Sequence, residues 1–191
     1  MVELPILFSG EMVRAILDGR KTQTRRVVKL PVSEIGKMVK YRGDWVLPCE
    51  WSPYGKSGDR LWVRETWWQW GGTEKRISYR ADTLPSFAPN GGFRPSIFMP
   101  RWASRITLEV VDVRVERLQD ISEDDAKAEG VMASGGWNAD DTEYCVGYRT
   151  AFSRLWDSIN AKRGYSWATN PWVWAVEFKV ATRGNLVTSG S

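Results

Sequence analysis

The stretch from Arg105 to Leu118 restricts the fold more than any other part of the chain. Ile106, Leu108 and Val110 alternate with other residues, which is the two-residue period of a half-buried strand. The apolar positions then switch parity to Val111, Val113 and Val115. A strand tolerates such a slip only by accommodating an extra residue or by bending, so the pattern predicts a bulge near Val110, as at a barrel corner. Shorter strands are predicted at 5–8, 61–67, 77–81 and 172–180, with helices over about 10–18 (capped by Ser9, stopped by Gly19), from Ser122 to before Gly130, and over 150–163. In the last helix Phe152, Leu155, Trp156 and Ile159 recur at i, i+3, i+4 and i+7. Residues 31–57, 82–100 and 131–147 are rich in turn formers and read as loops. Five or six strands and three helices without a βαβ rhythm predict an α+β fold, a small β-barrel with flanking helices.

Composition sets the outer limits. The chain has 191 residues, 42% hydrophobic and 26% charged, which suits one domain and carries no signature of disorder. No apolar run approaches the roughly 18–20 residues needed to cross a bilayer, and Met1-Val2-Glu3-Leu4-Pro5 lacks a signal-peptide pattern. These features predict a soluble, cytoplasmic protein with no membrane partner. Cys49 and Cys145 allow at most one bridge. Lys+Arg 27 against Asp+Glu 23 leaves +4, which is compatible with polyanion or nucleotide partners without demanding them. The 12 tryptophans are core anchors or base-stacking platforms.

Histidine is absent. This excludes Ser-His-Asp, Cys-His and histidine-ligated metal chemistry within the chain. Two cysteines without histidine do not make a normal zinc set, so no metal is expected. Any proton transfer must use Lys, Glu, Asp, Tyr or Cys. One segment fits that requirement. Lys21 and Thr24 follow the helix-ending Gly19, and a threonine hydroxyl becomes a nucleophile when a neutral amine takes its proton. Arg20, Arg25 and Arg26 disfavour a protonated Lys21. Residues i and i+3 of a straight strand face opposite ways, so convergence requires a tight bend between them. Glu129, in the last turn of the Ser122 helix, is placed at the negative end of the helix dipole, which suits a proton donor. Glu65, in an apolar strand beside Arg64 and Trp67, is its rival.

The run Gly19-Arg20-Lys21-Thr22-Gln23-Thr24-Arg25-Arg26 resembles the G-x-K-x-x-[E/T]-x-R signature of the ASCH domain, a PUA-like barrel family. Gly58-Asp59-Arg60-Leu61, Thr107-Leu108-Glu109-Val110, Leu118 to Gly130 and Val176-Glu177-Phe178-Lys179 follow in the family's order. Thr24 at the sixth signature position is similar to the N4-acetylcytidine amidohydrolase branch. The resemblance implies a single ASCH domain over 1–182 with insertions near 30–57, 68–101 and 131–150, then a flexible tail over 183–191. It implies Lys21 as proton acceptor, Thr24 as nucleophile and Glu129 as proton donor, with no cofactor. Arg20, Arg26 and Glu65 are further substrate-binding candidates, and Trp62, Trp67 and Trp102 are candidate walls for the base. The implied partner is a modified cytidine nucleoside or RNA. The Pro-Ile-Leu-Phe opening and the Trp-rich middle resemble phage and prophage members, which implies action in a host cytoplasm. Two rival functions remain: a non-catalytic RNA- or nucleotide-binding module using the Arg20–Arg26 stripe, and a ribonuclease with Glu65 or Glu129 as base.

Overall fold

A computed structural model describes residues 1–29, 39–41, 44–46, 52–70, 76–83, 89, 91–137 and 143–183. Strand β1 (Glu3–Leu7) runs into helix α1 (Gly10–Leu17), whose first turn is capped by Ser9 Oγ accepting from the Met12 N–H at 3.4 Å. Then come β2 (Gln23–Val27), the hairpin β3 (Val39–Tyr41) and β4 (Asp44–Val46), β5 (Arg60–Arg64), and the hairpin β6 (Trp67–Gln69) and β7 (Ile77–Tyr79). The second half holds β8 (Ile106–Arg117), α2 (Glu123–Ala128), β9 (Ser134–Trp137), β10 (Glu143–Val146), α3 (Tyr148–Asn160) and β11 (Trp172–Arg183). The fold is α+β, as the strand and helix pattern predicts.

Five strands form the main sheet in the order β1-β5-β8-β11-β2, with β1 and β5 parallel and the other pairs antiparallel. The long β8–β11 pair carries the bulge expected from the parity switch. Asp112 pairs with Glu177 and Val110 with Phe178, which leaves Val111 as the extra residue on β8. Val110 is therefore buried while Val111 turns outward. A second irregularity leaves Ala181 extra on β11, between Val180 opposite Leu108 and Thr182 opposite Thr107. Each bulge bends its strand and raises the local twist, which curves the sheet around one core. At the ends of the ladder, Arg26 of β2 reaches across to β1, its Nη2 donating to the Leu7 carbonyl at 2.5 Å.

The main core lies between this sheet and α1, where Ile6, Phe8, Val13, Ile16, Leu61, Leu108, Val176 and Phe178 interlock. A second cluster, Leu118, Ile121, Ala126, Phe152, Trp156 and Val173, fastens α2 and α3 to the start of β11. A third, Trp67, Met99 and Ala103, anchors the β6–β7 hairpin. Three segments read as loops contain structure: β3–β4 within 31–57, a 3-10 turn at Ser96–Phe98 within 82–100, and the β9–β10 hairpin within 131–147. Gly135 and Gly136 weaken the strand signal, but pairing of sequence neighbours costs little loop-closure entropy. Cys49, most of the 30–57 insertion and the tail from residue 184 onward lie outside the described residues. Among the described residues, no helix is long and apolar enough to cross a membrane.

Phe178 is buried against Phe8, with ring centroids 6.1 Å apart, whereas Phe98 is exposed. Phe178→Ala is expected to cost about 3–5 kcal/mol in urea unfolding. Phe98→Ala should stay within about 0.5 kcal/mol. Equal losses would contradict this core.

Candidate functional site

The end of α1 delivers Lys21 into the interior. Asp18 caps the helix, Gly19 takes the left-handed conformation (φ +76°), and the N–H groups of Arg20 and Lys21 both donate to the Ala15 carbonyl at 2.9 and 3.0 Å. Thr22 then donates its N–H to the Ala128 carbonyl at 2.8 Å, which ties this loop to the last residue of α2. Lys21 pairs as an isolated antiparallel bridge with Glu129, and β2 begins two residues later. This break in the strand accounts for both Lys21 and Thr24 being buried despite their odd spacing.

Gly130 makes the approach of loop and helix feasible. It has φ +83°, and a Cβ there would lie 2.8 Å from the Lys21 Cβ and 3.0 Å from the Ala15 Cβ. Glu129, the C-cap of α2, meets Lys21 on the near side of this contact. The Lys21 ammonium donates to Glu129 Oε2 at 2.7 Å and to the Glu129 carbonyl at 2.8 Å, and its side chain is fully shielded from solvent. Burial pushes the Lys21 pKa down. The Glu129 carboxylate opposes that shift, and Arg26 and Arg25 reinforce it.

The other Glu129 oxygen, Oε1, is held by Arg25 Nη1 at 3.3 Å. Arg25 in turn binds Glu116 through Nε at 2.8 Å and lies 3.3 Å from Asp125. Arg114 closes the group, with Nε on Glu116 Oε2 at 2.8 Å and Nη2 3.4 Å from Asp125. Lys21, Arg25 and Arg114 thus face Glu129, Glu116 and Asp125. In a buried setting such balance matters, because an unpaired charge costs several kcal/mol.

Beside this network opens a cavity of about 540 Å³, within the range of small-molecule sites. Thr24, Arg26 and Glu129 line it, together with Tyr54, Trp156, Tyr165, Lys29 and Arg163. Lys21 lies behind Glu129 and does not reach the surface of the cavity. Among the described residues, no hydrogen bond joins the Lys21 amine to the Thr24 hydroxyl; both bonds of the amine go to Glu129. Arg26 lies over the Phe8 ring at 5.2 Å, and its Nε is buried without a hydrogen-bond partner. Burial pushes the Arg26 pKa down and that of Tyr54 up.

The remaining sequence candidates are elsewhere. Arg20 lines a different cavity, of about 580 Å³, and its guanidinium binds the Gly130 carbonyl and Asp18 at 2.9 Å each. Glu65 is 1% exposed and gripped by Arg105, Nε on Oε1 at 2.9 Å and Nη2 on Oε2 at 3.1 Å. Arg105 also binds Asp82 and stacks on Tyr79, 4.0 Å from the ring centroid. Burial raises the Glu65 pKa, and Arg105 opposes that rise. Trp62 lies under Arg64, and Trp67 is buried edge-on against Trp102 at 5.9 Å. None of these three tryptophans lines the Thr24 cavity. Its aromatic walls come from Tyr54, in a segment read as irregular, and from Phe152 and Trp156, whose helical spacing marks them first as core. Among the described residues, no group of three or more acidic or cysteine side chains is arranged to hold a metal ion.

The chain is similar in structure to a DUF984 protein of Enterococcus faecalis, at TM-score 0.46 and 11% identity over 100% of this chain and 87% of the other. It is also similar to an ASCH domain of Lactobacillus crispatus, at TM-score 0.45 and 13% identity over 95% and 81%. No family model and no curated protein matches the sequence.

Two stability measurements check this geometry. Lys21→Met strands a buried carboxylate and is expected to cost about 3–5 kcal/mol; adding Glu129→Gln in the same chain should recover part of that loss. Gly130→Ala, which meets Lys21, should cost more than Gly164→Ala, where φ is +84° but nothing lies within 4 Å of the new Cβ.

Proposed function

We propose that the chain is an amidohydrolase that removes an acyl group from the exocyclic N4 of a cytidine-type substrate, with Lys21, Thr24 and Glu129 as its working groups. The observation that carries this reading is that Thr24 and Glu129 line one cavity while the Glu129 carboxylate lies 2.7 Å from a lysine whose burial favours the neutral amine. The ASCH-type signature at 19–26 supplies Lys21 and Thr24, with threonine where many members carry glutamate, and the similar block from Leu118 to Gly130 supplies Glu129.

The chemistry starts from the lysine–glutamate contact. Shifting one proton from the Lys21 ammonium to Glu129 Oε2 yields a neutral amine and a carboxylic acid, the two forms the reaction uses. Substrate entry brings the Thr24 hydroxyl and the amine into reach of each other, since catalytic hydrogen bonds commonly tighten only in the complex. Lys21 takes the hydroxyl proton as Thr24 Oγ bonds to the acyl carbon. The bond from that carbon to N4 breaks, and Glu129 gives its proton to the departing nitrogen. Water then cleaves the threonine ester, releasing the carboxylic acid and restoring the hydroxyl. Arg26, which lines the cavity and whose Nε has no hydrogen-bond partner, is the donor we assign to the developing oxyanion. Trp156 and Tyr54 provide flat surface for the pyrimidine.

A second reading, a nucleic-acid-binding module without turnover, is favoured by one feature. Phe98 and Trp102 are exposed on the Pro-rich segment that carries Arg94 and Arg101, the composition of a base-stacking surface.

Hydrolysis of N4-acetylcytidine, followed as acetate and cytidine by mass spectrometry, separates the two. The hydrolase loses at least about 10³-fold in kcat with Thr24→Ala or Lys21→Arg, because alanine offers no nucleophile and arginine keeps its proton. Its kcat/KM falls on the alkaline side, when the pair loses the one proton that the amine and the acid share, and burial of Lys21 sets that fall below the ordinary lysine value. A binder would instead show no acetate, an affinity that falls steeply with salt, and little response to Lys21→Arg.

A further inference from the structure

We propose that the substrate of this cavity carries a phosphate, making it a cytidine nucleotide rather than an uncharged nucleoside, and that Lys29 and Arg163 hold that phosphate. The inference rests on the hydrolase reading for the identity of the base, and on separate residues for the charge.

Among the described residues, four cations line the cavity, Arg25, Arg26, Lys29 and Arg163, against one acid, Glu129. Glu129 is already bound by Lys21 and Arg25, and Arg25 is further engaged by Glu116 and Asp125. Arg26 spends one nitrogen on the Leu7 carbonyl. Lys29 and Arg163 have no carboxylate partner among the described residues. They arrive from distant parts of the sequence, Lys29 just beyond β2 and Arg163 at the end of the 3-10 turn after α3, yet they line the same space as Thr24. Arg163 is close enough for its charge to act on Arg26.

Like charges gathered around a concave, partly apolar wall focus a positive potential into it. An anion bound there relieves their repulsion, and guanidinium and ammonium groups are the usual phosphate ligands. The apolar part of the lining is suited to a base. Trp156 is held rigid, its indole N–H donating to the Tyr165 carbonyl at 2.7 Å, and Met12, Leu155 and Ile159 extend the apolar lining. An aromatic wall, a nucleophile and a doubly cationic edge in one cavity match the base, the scissile group and the phosphate of a nucleotide.

Calorimetric binding of cytidine and cytidine 5′-monophosphate tests the charge without any turnover, because neither carries an acyl group. At low salt the monophosphate should bind roughly tenfold or more tightly, and the Lys29→Gln/Arg163→Gln chain should lose most of that advantage. Both side chains are exposed, so the double variant is expected to fold. Equal affinities in the wild-type chain, or an advantage that survives the double substitution, would overturn the inference. Hydrolysis of N4-acetylcytidine without any preference for its 5′-monophosphate would also overturn it while leaving the hydrolase reading intact. Phosphate-dependent binding without acyl cleavage would support the phosphate site and remove only the hydrolase. A trinucleotide with a central N4-acetylcytidine distinguishes the source of the phosphate: tighter binding than the monophosphate assigns it to an RNA strand, weaker binding to a free nucleotide.

Discussion

A lysine ammonium withdrawn from water 2.7 Å from a glutamate carboxylate is the contact around which the rest of this molecule is arranged. Either charge alone at that depth costs several kcal/mol, so the loop after α1 and the end of α2 are held together. The backbone enforces the same register twice more, through the Lys21–Glu129 bridge and the bond from Thr22 to the Ala128 carbonyl. Arg25 extends the constraint into the sheet, since it shares Glu129 with Lys21 and is itself held by Glu116 of β8 and Asp125 of α2. Such a network adds little net stability compared with apolar packing, but it penalises every arrangement that separates its members.

That rigidity has a chemical counterpart. The same burial that makes the pair costly to separate lowers the lysine pKa, against the opposing pull of the Glu129 carboxylate. A surface lysine beside a surface glutamate would be a solvated ion pair with no reason to exchange its proton. Here the second glutamate oxygen is occupied by Arg25, which leaves Oε2 to Lys21 alone. The cavity opens on the Thr24 and Glu129 side and leaves Lys21 behind, so a molecule entering it meets Thr24 and Glu129 before Lys21.

The rest of the titratable interior follows a different logic. Glu65 is as deeply buried as Glu129, yet Arg105 covers both of its oxygens and Asp82 and Tyr79 complete the cluster. Its place between β5 and the third apolar cluster fastens the β6–β7 region to the sheet. Glu65 and Glu129 thus sit in different settings, one closed by a bidentate arginine and one facing a cavity. The tryptophans divide in the same way: Trp67 packs inside, Trp102 is exposed, and Trp156 forms part of the cavity wall.

Local rules account for what the sequence determined by itself. The parity switch after Val110 required the bulge at Val111, Ser9 and Ser122 required helix starts, and Gly19 and Gly164 required left-handed stops, because each depends only on neighbours along the chain. The short hairpins β3–β4 and β9–β10 escaped this reading, since glycine and turn formers blur the two-residue period. Resemblance singled out Lys21 and Thr24 through the 19–26 segment and Glu129 through the block from Leu118 to Gly130, but spacing alone did not distinguish Glu129 from Glu65. Only the tertiary structure decided which acid meets the lysine, that Tyr54, Trp156, Lys29 and Arg163 share a cavity with Thr24, and that Arg20 lines another. Those facts depend on how α2 and α3 pack against the sheet, and contacts between residues about a hundred positions apart leave no period in the sequence to read.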